Sequence, residues 1–478
     1  MRLRCIATAC IAIAVVLGSV SARAGGPFYV DEAASGTALQ WENRTMKWCP
    51  DPGDLSSTVT HDTAVQWITE ALNKWTSVKL RNASNQLVDT TSISTAQDTG
   101  CPISDITVDN YEDYYNGDPG PTVVVFDDKG DIIVKFMGEA NRDYVVGLSV
   151  PQAADSTGKY ITKGIAIFNG LLLANDNTTL GADLATKSSY YKATVLHELG
   201  HLLNLDHSQT NYESIKNCDV GSSCDSGSYS PTMYPELIST SQSDLNRDDE
   251  VTISWLYPTT ELMGQFCLIT GKIIDGDGRP LKGVHVTATR AEGTSTPLVE
   301  ARSFVSGALY PLCEGDGTYF LYGIVPGRAY KVSYESIGAD FTGASSLEPL
   351  DNPPRGFDSG EILGSDDATT VSCSQAGETI EMQDLKIDTA NPCSSSSSST
   401  DTTSSSSKMS CSLARGPAAD AASGSAAMMC ILASAILLAG RSVTSRRLSG
   451  KVSRGERRVA SQSAGSRSAI MPLCPCSR

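Results

Sequence analysis

The sequence predicts an α+β protein, in which a first part that mixes strands with helices is followed by an all-β sandwich. Residues 65–75 place their apolar side chains at helical spacing, and residues 164–169 form a short apolar run typical of a buried strand. Over residues 267–390 the pattern changes to short β-rich segments separated by Gly, Pro and Asp turns, which is typical of a β-sandwich.

Composition and the N-terminus restrict the possible functions. The 478 residues include 37 Lys and Arg against 54 Asp and Glu, a formal net charge of −17. An acidic chain repels phosphate, so we expect no nucleic-acid partner. Residues 1–24 combine a positive start, an apolar run and a small-x-small ending, which predicts a cleaved signal peptide; a membrane anchor is the alternative, but the run is short. The 14 Cys also fit an exported protein.

The first elements follow in order along the chain. Residues 41–48 alternate enough for a strand, and Thr60 or Asp62 would cap the helix that comes next. Residues 122–126 and 132–136 are predicted to form a β-hairpin. The turn between them contains three Asp, which could hold Ca²⁺, but Asp and Gly are usual turn residues and favour a plain turn.

Two further helices are predicted before the β-rich part. One covers about residues 188–203, with Ser188 or Ser189 as its cap. The other covers residues 243–257 and stops at Pro258, which cannot continue a helix.

Three of the five histidines fall within eleven residues. On a helix His197 and His201 share one face, so both imidazoles can reach one metal ion, and Glu198 beside the first completes the arrangement of a zinc peptidase. His207 lies too far along for the same face, so the chain must turn sharply near Asn204, a residue type that tolerates positive φ. Three neutral histidines leave a fourth zinc position open for water.

The alternative is an ordinary amphipathic helix with satisfied histidines, because a bare HExxH occurs by chance in many chains. The third His at this offset, in an exported protein, favours a zinc site.

The segment HELGHLLNLDHS at 197–208 resembles the signature of the metzincin metallopeptidases, and its ending is most similar to the matrixins, the clan of the matrix metalloproteases. Residues 230–235 resemble the matrixin Met-turn, and residues 245–257 resemble the matrixin C-terminal helix. The resemblance spans about residues 28–258. It implies a zincin fold, with a twisted mixed sheet and an active-site helix, around one catalytic Zn²⁺.

The resemblance also implies roles for the residues after the signature. Met233 would lie beneath the metal, and Tyr234, Pro235 and Leu237 would line the substrate pocket. Departures from the family pattern are Asn204 in place of Gly and a longer insertion that carries Cys218 and Cys224, which we expect to form a disulfide-closed loop.

The function implied is that of an exported zinc metalloendopeptidase acting on proteins or peptides. Glu198 would take the proton of the zinc-bound water and pass it to the leaving amine. Since only His61 and His285 remain, in different predicted domains, we expect no second, structural zinc. The alternative is a non-catalytic surface adhesin whose zinc site is structural or degenerate.

The β-rich part, residues 265–390, resembles the carboxypeptidase regulatory-like domains, which are transthyretin-like sandwiches. Such domains usually add stability or adhesion rather than catalysis. Three disulfides are plausible, although sequence alone leaves the connectivity open: Cys49–Cys101, Cys267–Cys313 and Cys373–Cys393.

The C-terminus resembles the tripartite sorting signals of myxobacterial-type surface proteins. A Ser/Thr-rich linker at 394–410 precedes a predicted signal at 411–447, in which Cys411 would match the processed, lipid-modified Cys. Residues 448–478 form a basic tail that we expect to be disordered. We therefore predict that sorting machinery attaches the protein to the membrane, and that the protein is located at the cell surface, associated with the outer membrane, or is secreted. A plain tail anchor is the alternative.

Overall fold

The computed structural model describes the chain in ten stretches: residues 26–31, 36–101, 103–116, 120–216, 229–292, 297–310, 315–338, 353–392, 410–414 and 469–470. Within these stretches, no helix has both the length and the apolar character needed to cross a membrane. Several predictions concern residues outside them: the signal peptide, the loop between Cys218 and Cys224, almost all of the Ser/Thr-rich linker, and most of the C-terminal signal and tail.

The described chain has an α+β fold with several sheets, as predicted. Its helices are α1 His61–Thr76, α2 Tyr111–Asn116, α3 Asp131–Met137, α4 Leu184–Leu202, α5 Tyr212–Lys216, α6 Arg247–Leu256 and α7 Thr260–Gln265. Its first nine strands are β1 Gln40–Trp41, β2 Thr45–Pro50, β3 Lys79–Arg81, β4 Leu87–Asp89, β5 Ser94–Gln97, β6 Thr122–Asp127, β7 Val145–Ala154, β8 Tyr160–Asn169 and β9 Glu236–Leu237.

The remaining strands come mostly from the β-rich part of the chain. They are β10 Cys267–Asp275, β11 Val284–Arg290, β12 Arg302–Val305, β13 Thr318–Ile324, β14 Tyr330–Ser336, β15 Gly360–Ile362, β16 Thr379–Glu381, β17 Leu385–Ile387, β18 Ser410–Ala414 and β19 Ala469–Ile470.

One large sheet organises the first part of the chain, in the order β5-β2-β6-β8-β7-β18-β9, with β1 beside β8 and β19 beside β7. Strands β5, β2, β6 and β8 run parallel, whereas β7 is antiparallel to β8. Side chains alternate between the two faces of a strand. Val124 and Phe126 therefore join the core formed with α1 and α4, while Val123 and Val125 join a second core with α2 and α3.

Two four-stranded sheets form the later part. One has the order β13-β10-β16 with β17 also paired to β10, and the other has the order β12-β11-β14-β15. Both sheets contribute to one hydrophobic core, in which Ile269 and Leu321 from the first meet Val286 and Val332 from the second. The burial of this shared apolar surface holds the two sheets together.

The predicted hairpin is wrong in its second half, because residues 132–136 lie in helix α3 and not in a strand. The Asp127 carboxylate accepts a hydrogen bond from the Ile133 backbone N–H, which satisfies an end of the helix. Asp131 pairs with Arg142 at 2.8 Å. These two carboxylates of the suggested Ca²⁺ turn thus already have protein partners.

The cap predicted for the histidine-bearing helix is also wrong. α4 begins one turn earlier than expected, and the Asp183 side chain accepts a hydrogen bond from the Thr186 N–H at 2.9 Å. Ser188 and Ser189 lie inside the helix. An Asp cap is as effective as Ser, so the local sequence offered two starting points.

The disulfides are confirmed in part. Cys49 is bonded to Cys101 as predicted, but Cys267 is bonded to Cys373. The predicted pairs Cys267–Cys313 and Cys373–Cys393 are therefore wrong. β10 and the turn after β15 come together only through sheet pairing, which the spacing of Cys along the chain does not encode.

We predict that the double variant Cys267→Ala/Cys373→Ala unfolds with a free energy about 2–5 kcal/mol lower, because this bond closes a loop between residues 106 positions apart. Denaturant unfolding followed by circular dichroism measures the change. An unfolding free energy equal to that of the unaltered chain would contradict this connectivity.

Candidate metal centre

Helix α4 places His197 and His201 in the core, and a turn at Asn204 brings His207 back beside them. Asn204 has φ +74°, the left-handed conformation that its residue type tolerates. Its side-chain amide accepts from the Tyr29 N–H and donates to the Tyr29 and Leu39 carbonyls at 2.8–3.0 Å. The N-terminal segment therefore fixes the turn, and the Gly of the family pattern is not needed here.

The three imidazoles meet at their Nε2 atoms. His201 Nε2 lies 2.9 Å from His197 Nε2 and 3.2 Å from His207 Nε2, and the third separation is 3.3 Å. Two nitrogen ligands at zinc bond lengths and a tetrahedral angle lie about 3.3 Å apart. The triad thus fits one face of a tetrahedral metal site, and all three residues are buried.

The protonation of the triad suits a metal ligand. His197 Nδ1 lies 2.7 Å from the Thr232 carbonyl and His201 Nδ1 lies 2.8 Å from the Leu205 carbonyl, so each Nδ1–H donates to backbone. Each Nε2 is then the nitrogen with the lone pair. Burial lowers the pKa of His197 to about 4 and holds the pKa of His201 and His207 well below the usual range, so the imidazoles are neutral at pH 7.

Glu198 is fully buried beside the triad, under the strand β7. A Cβ at Gly147 of β7 would come within 2.8 Å of the Glu198 Cγ. Only glycine leaves this space, so the strand contributes room for the carboxylate although it contributes no ligand. No local pattern indicates this dependence, because the two residues are 51 positions apart.

Met233 packs against α4 from beneath. A Cβ at Gly200 would lie 2.4 Å from the Met233 Sδ and 2.8 Å from the Trp75 ring. The glycine of the HELGH segment is therefore required by the close approach of Met233, which is buried. Met233 therefore lies against the turn of α4 that joins His197 to His201.

A buried carboxylate from α6 holds the Met233 turn. Asp249 accepts from the Thr232 N–H at 2.7 Å and from the Met233 N–H at 3.0 Å, and it also accepts from the Asn246 N–H. Burial raises the pKa of Asp249 to about 7, while these backbone donors act in the opposite direction. The Thr232 carbonyl in turn accepts from His197, so hydrogen bonds connect Asp249 of α6 to this candidate metal ligand.

A small cavity of about 10 Å³ adjoins His197. Tyr234 and Leu237 are among its lining residues, and Pro235 is not. Sequence reasoning missed the other lining residues, Ala193, Thr194, Thr232 and Gln242. Gln242 accepts from the Ile238 N–H and donates to the Glu236 carbonyl, and so fixes the wall of the cavity.

The segment after His207 rests on the β-rich part of the chain. The Asp248 carboxylate accepts from the Ser208 hydroxyl and from the Ser303 N–H of β12. Thr210 donates to the Ser303 hydroxyl at 2.7 Å, and Gln209 donates to Glu335 of β14 at 3.0 Å. The later sheets thus support the loop that delivers the third histidine, which the sequence did not suggest.

The remaining candidates lie elsewhere. His61 is on α1, and His285 lies on β11 against Glu335. Cys49, Asp98 and Cys101 are close together, but the two cysteines form a disulfide and cannot act as thiolate ligands. The backbone of Cys411 lies in β18, opposite Leu148 of β7.

Comparisons with known proteins assign no family. No protein-family profile matches the chain, and no curated protein is significantly similar to it. A dioxygenase domain from Streptomyces sp. SirexAA-E has 18% sequence identity, with 28% of this chain and 85% of that chain covered, at a TM-score of 0.15.

Two pilus proteins show a similar degree of likeness. A C-terminal fragment of a pilus adhesin from Lactobacillus rhamnosus GG has 12% identity over 25% of this chain and 44% of its own, at a TM-score of 0.14. The pilus 2b backbone protein of group B streptococcus has 20% identity, with 25% of this chain and 41% of that chain covered, at a TM-score of 0.13. This chain spans less than half the length of either, and likenesses this slight support no statement about fold or function.

We predict that the purified protein binds one Zn²⁺ per chain at pH 7 and that His201→Ala abolishes this stoichiometric binding, since two remaining imidazoles cannot hold the ion as three do. Metal content after dialysis measures the effect. His61→Ala is the matched control and should keep the ion; equal loading of the His201→Ala and His61→Ala proteins would contradict the site.

Proposed function

We propose that this protein is an exported zinc metalloendopeptidase that hydrolyses peptide bonds in proteins. The observation that carries the proposal is the convergence of three buried, neutral Nε2 atoms within 3.3 Å of one another, with buried Glu198 next to them in the helix. The proposal includes a zincin fold for residues 28–258 and a transthyretin-like sandwich for residues 265–390.

His197, His201 and His207 would hold the zinc and leave its fourth position to water. The bound ion would lower the pKa of that water to about 7 and polarise the scissile carbonyl. Glu198 would take a proton from the attacking water and deliver it to the amine nitrogen that leaves as the peptide C–N bond breaks, so one carboxylate would act as base and then as acid.

The pairing of an added strand with β7 supports this function. β18 lies between β7 and β9, antiparallel to the first and parallel to the second, with Ser412 opposite Gly147. The edge of β7 above Glu198 therefore accepts an added strand through backbone hydrogen bonds. Strand addition is a common way to bind peptides, with main-chain bonds for affinity and side-chain pockets for specificity.

The strand that pairs with this edge of β7 belongs to the chain itself. We propose that β18 occupies the place of a substrate strand, and that a peptide substrate must displace it. Export by residues 1–24 and attachment through residues 411–447 complete the proposal, and the two disulfides suit an oxidising compartment.

We predict that Glu198→Gln lowers the rate of peptide hydrolysis by about 100-fold to 10,000-fold, the usual size of a general acid–base contribution, while one zinc per chain is retained. Hydrolysis of casein or gelatin, with and without chelator, gives the activity, and metal analysis gives the zinc content.

The matched control is Glu70→Gln, an exposed carboxylate on α1, which should leave both quantities unchanged. Undiminished turnover by Glu198→Gln would refute the mechanism. Stoichiometric zinc without hydrolysis in the unaltered protein would instead favour a non-catalytic binding protein.

We also predict that a chain ending at residue 407 hydrolyses a short peptide faster than the full chain, because the edge of β7 no longer pairs with β18. A chain ending at residue 447, which keeps β18, is the control and should match the full chain. Equal rates for the two truncated chains would show that β18 does not compete with substrate.

A further inference from the structure

A crevice lined by arginine lies between the two parts of the chain, away from the histidine triad. Its arginines are Arg81 after α1, Arg247 on α6, and Arg290, Arg302 and Arg328 from the β-rich part. The chain between residues 25 and 390 contains nine arginines, and five of them line this crevice. In a chain with a net charge of −17, this concentration of positive charge requires a local explanation.

Few carboxylates balance these arginines. Glu250 pairs with Arg247 at 2.9 Å, and Glu300 lies 3.5 Å from Arg247 and 3.8 Å from Arg302. Five guanidinium groups thus face two carboxylates, an excess of three positive charges. Within the described part of the chain, Arg290 and Arg328 have no ion-pair partner within 4.0 Å.

The buried guanidinium groups also keep unused donors. Arg302 is only 1% exposed; its terminal nitrogens donate to the Gly323 and Glu300 carbonyls, but its Nε–H has no acceptor in the described chain. The Nε–H of Arg290 is likewise buried without an acceptor. Burying a charged donor without a partner is unfavourable, so these two groups call for a partner such as a water or an anion.

The size of the crevice restricts that ligand. It encloses about 90 Å³, well below the roughly 300 Å³ of a typical pocket for an organic ligand. Arginine is the preferred residue for phosphate and sulfate oxygens because its planar fork donates two parallel hydrogen bonds. Arg81 and Arg328 are exposed, so the crevice opens to solvent on their side.

We propose that this crevice binds one tetrahedral oxyanion group, a sulfate or a phosphate, either free or as the terminal monoester of a larger molecule. The bound group bridges Arg81 and Arg247 on one side to Arg290, Arg302 and Arg328 on the other. It therefore fastens the two parts of the chain together, and it does so independently of the metal centre and of the proposed peptidase activity.

Calorimetric titration of the purified protein with sodium sulfate, at an ionic strength held constant with sodium chloride, tests the proposal. We expect saturable binding of one sulfate per chain. The double variant Arg290→Gln/Arg328→Gln should bind at least about tenfold more weakly, since it loses two charged donors. The matched control, Arg279→Gln/Arg355→Gln, removes the same charge from exposed positions outside the crevice and should bind as the unaltered protein does.

Two further titrations distinguish the sources of the group. If inorganic phosphate and glycerol 2-phosphate both bind, the crevice accepts a terminal monoester; if only the inorganic ion binds, the ligand is the free oxyanion. Absence of saturable binding would overturn the proposal. Equal weakening in both double variants would also overturn it, because the effect would then be one of overall charge.

Discussion

The reversal of the chain at Asn204 is the constraint on which the rest of the centre depends. Without it His207 would continue along the axis of α4 and point away from the face that carries His197 and His201. The positive φ at Asn204 is held by hydrogen bonds to Tyr29 and Leu39, so the N-terminal segment stabilises a turn that lies 165 to 175 residues later. The Phe28 ring also packs edge-on against the His201 ring.

Support for the centre comes from both parts of the chain. Asp249 fixes the Thr232–Met233 turn, whose carbonyl sets the orientation of His197. Its neighbour Asp248 joins Ser208, next to the third histidine, to Ser303 in the later sheets. Carboxylates of this kind, hydrogen-bonded behind the ligands, keep imidazoles in one tautomer and orientation. The β-rich part therefore helps to hold the segment that carries His207 in place.

The sequence predicted what is encoded locally. The spacing of His197, His201 and His207 and the tolerance of Asn for positive φ were sufficient to expect the convergence of the triad, and the helical period of α1 was strong enough to be recognised. The prediction of a strand at residues 132–136 was wrong because a short apolar run is compatible with a strand or a helix. The hydrogen bond from the Ile133 N–H to Asp127, which favours the helix, forms only in the folded chain.

Long-range features could not be predicted in this way. The room that Gly147 leaves for Glu198, the bond between Cys267 and Cys373, and the contact of Asp248 with Ser303 each join residues at least 50 positions apart. No periodicity or motif marks such pairs, because they follow from sheet order and packing. The arginine crevice belongs to the same class, since its five arginines come from five separate segments.

The most direct test of a catalytic zinc centre is a crystal structure of the zinc-loaded protein with anomalous diffraction measured at the zinc absorption edge. We expect a single strong peak about 2.0–2.1 Å from the Nε2 atoms of His197, His201 and His207, with water as the fourth ligand on the side of Glu198. A peak elsewhere, or a fourth protein ligand that closes the coordination shell, would contradict it.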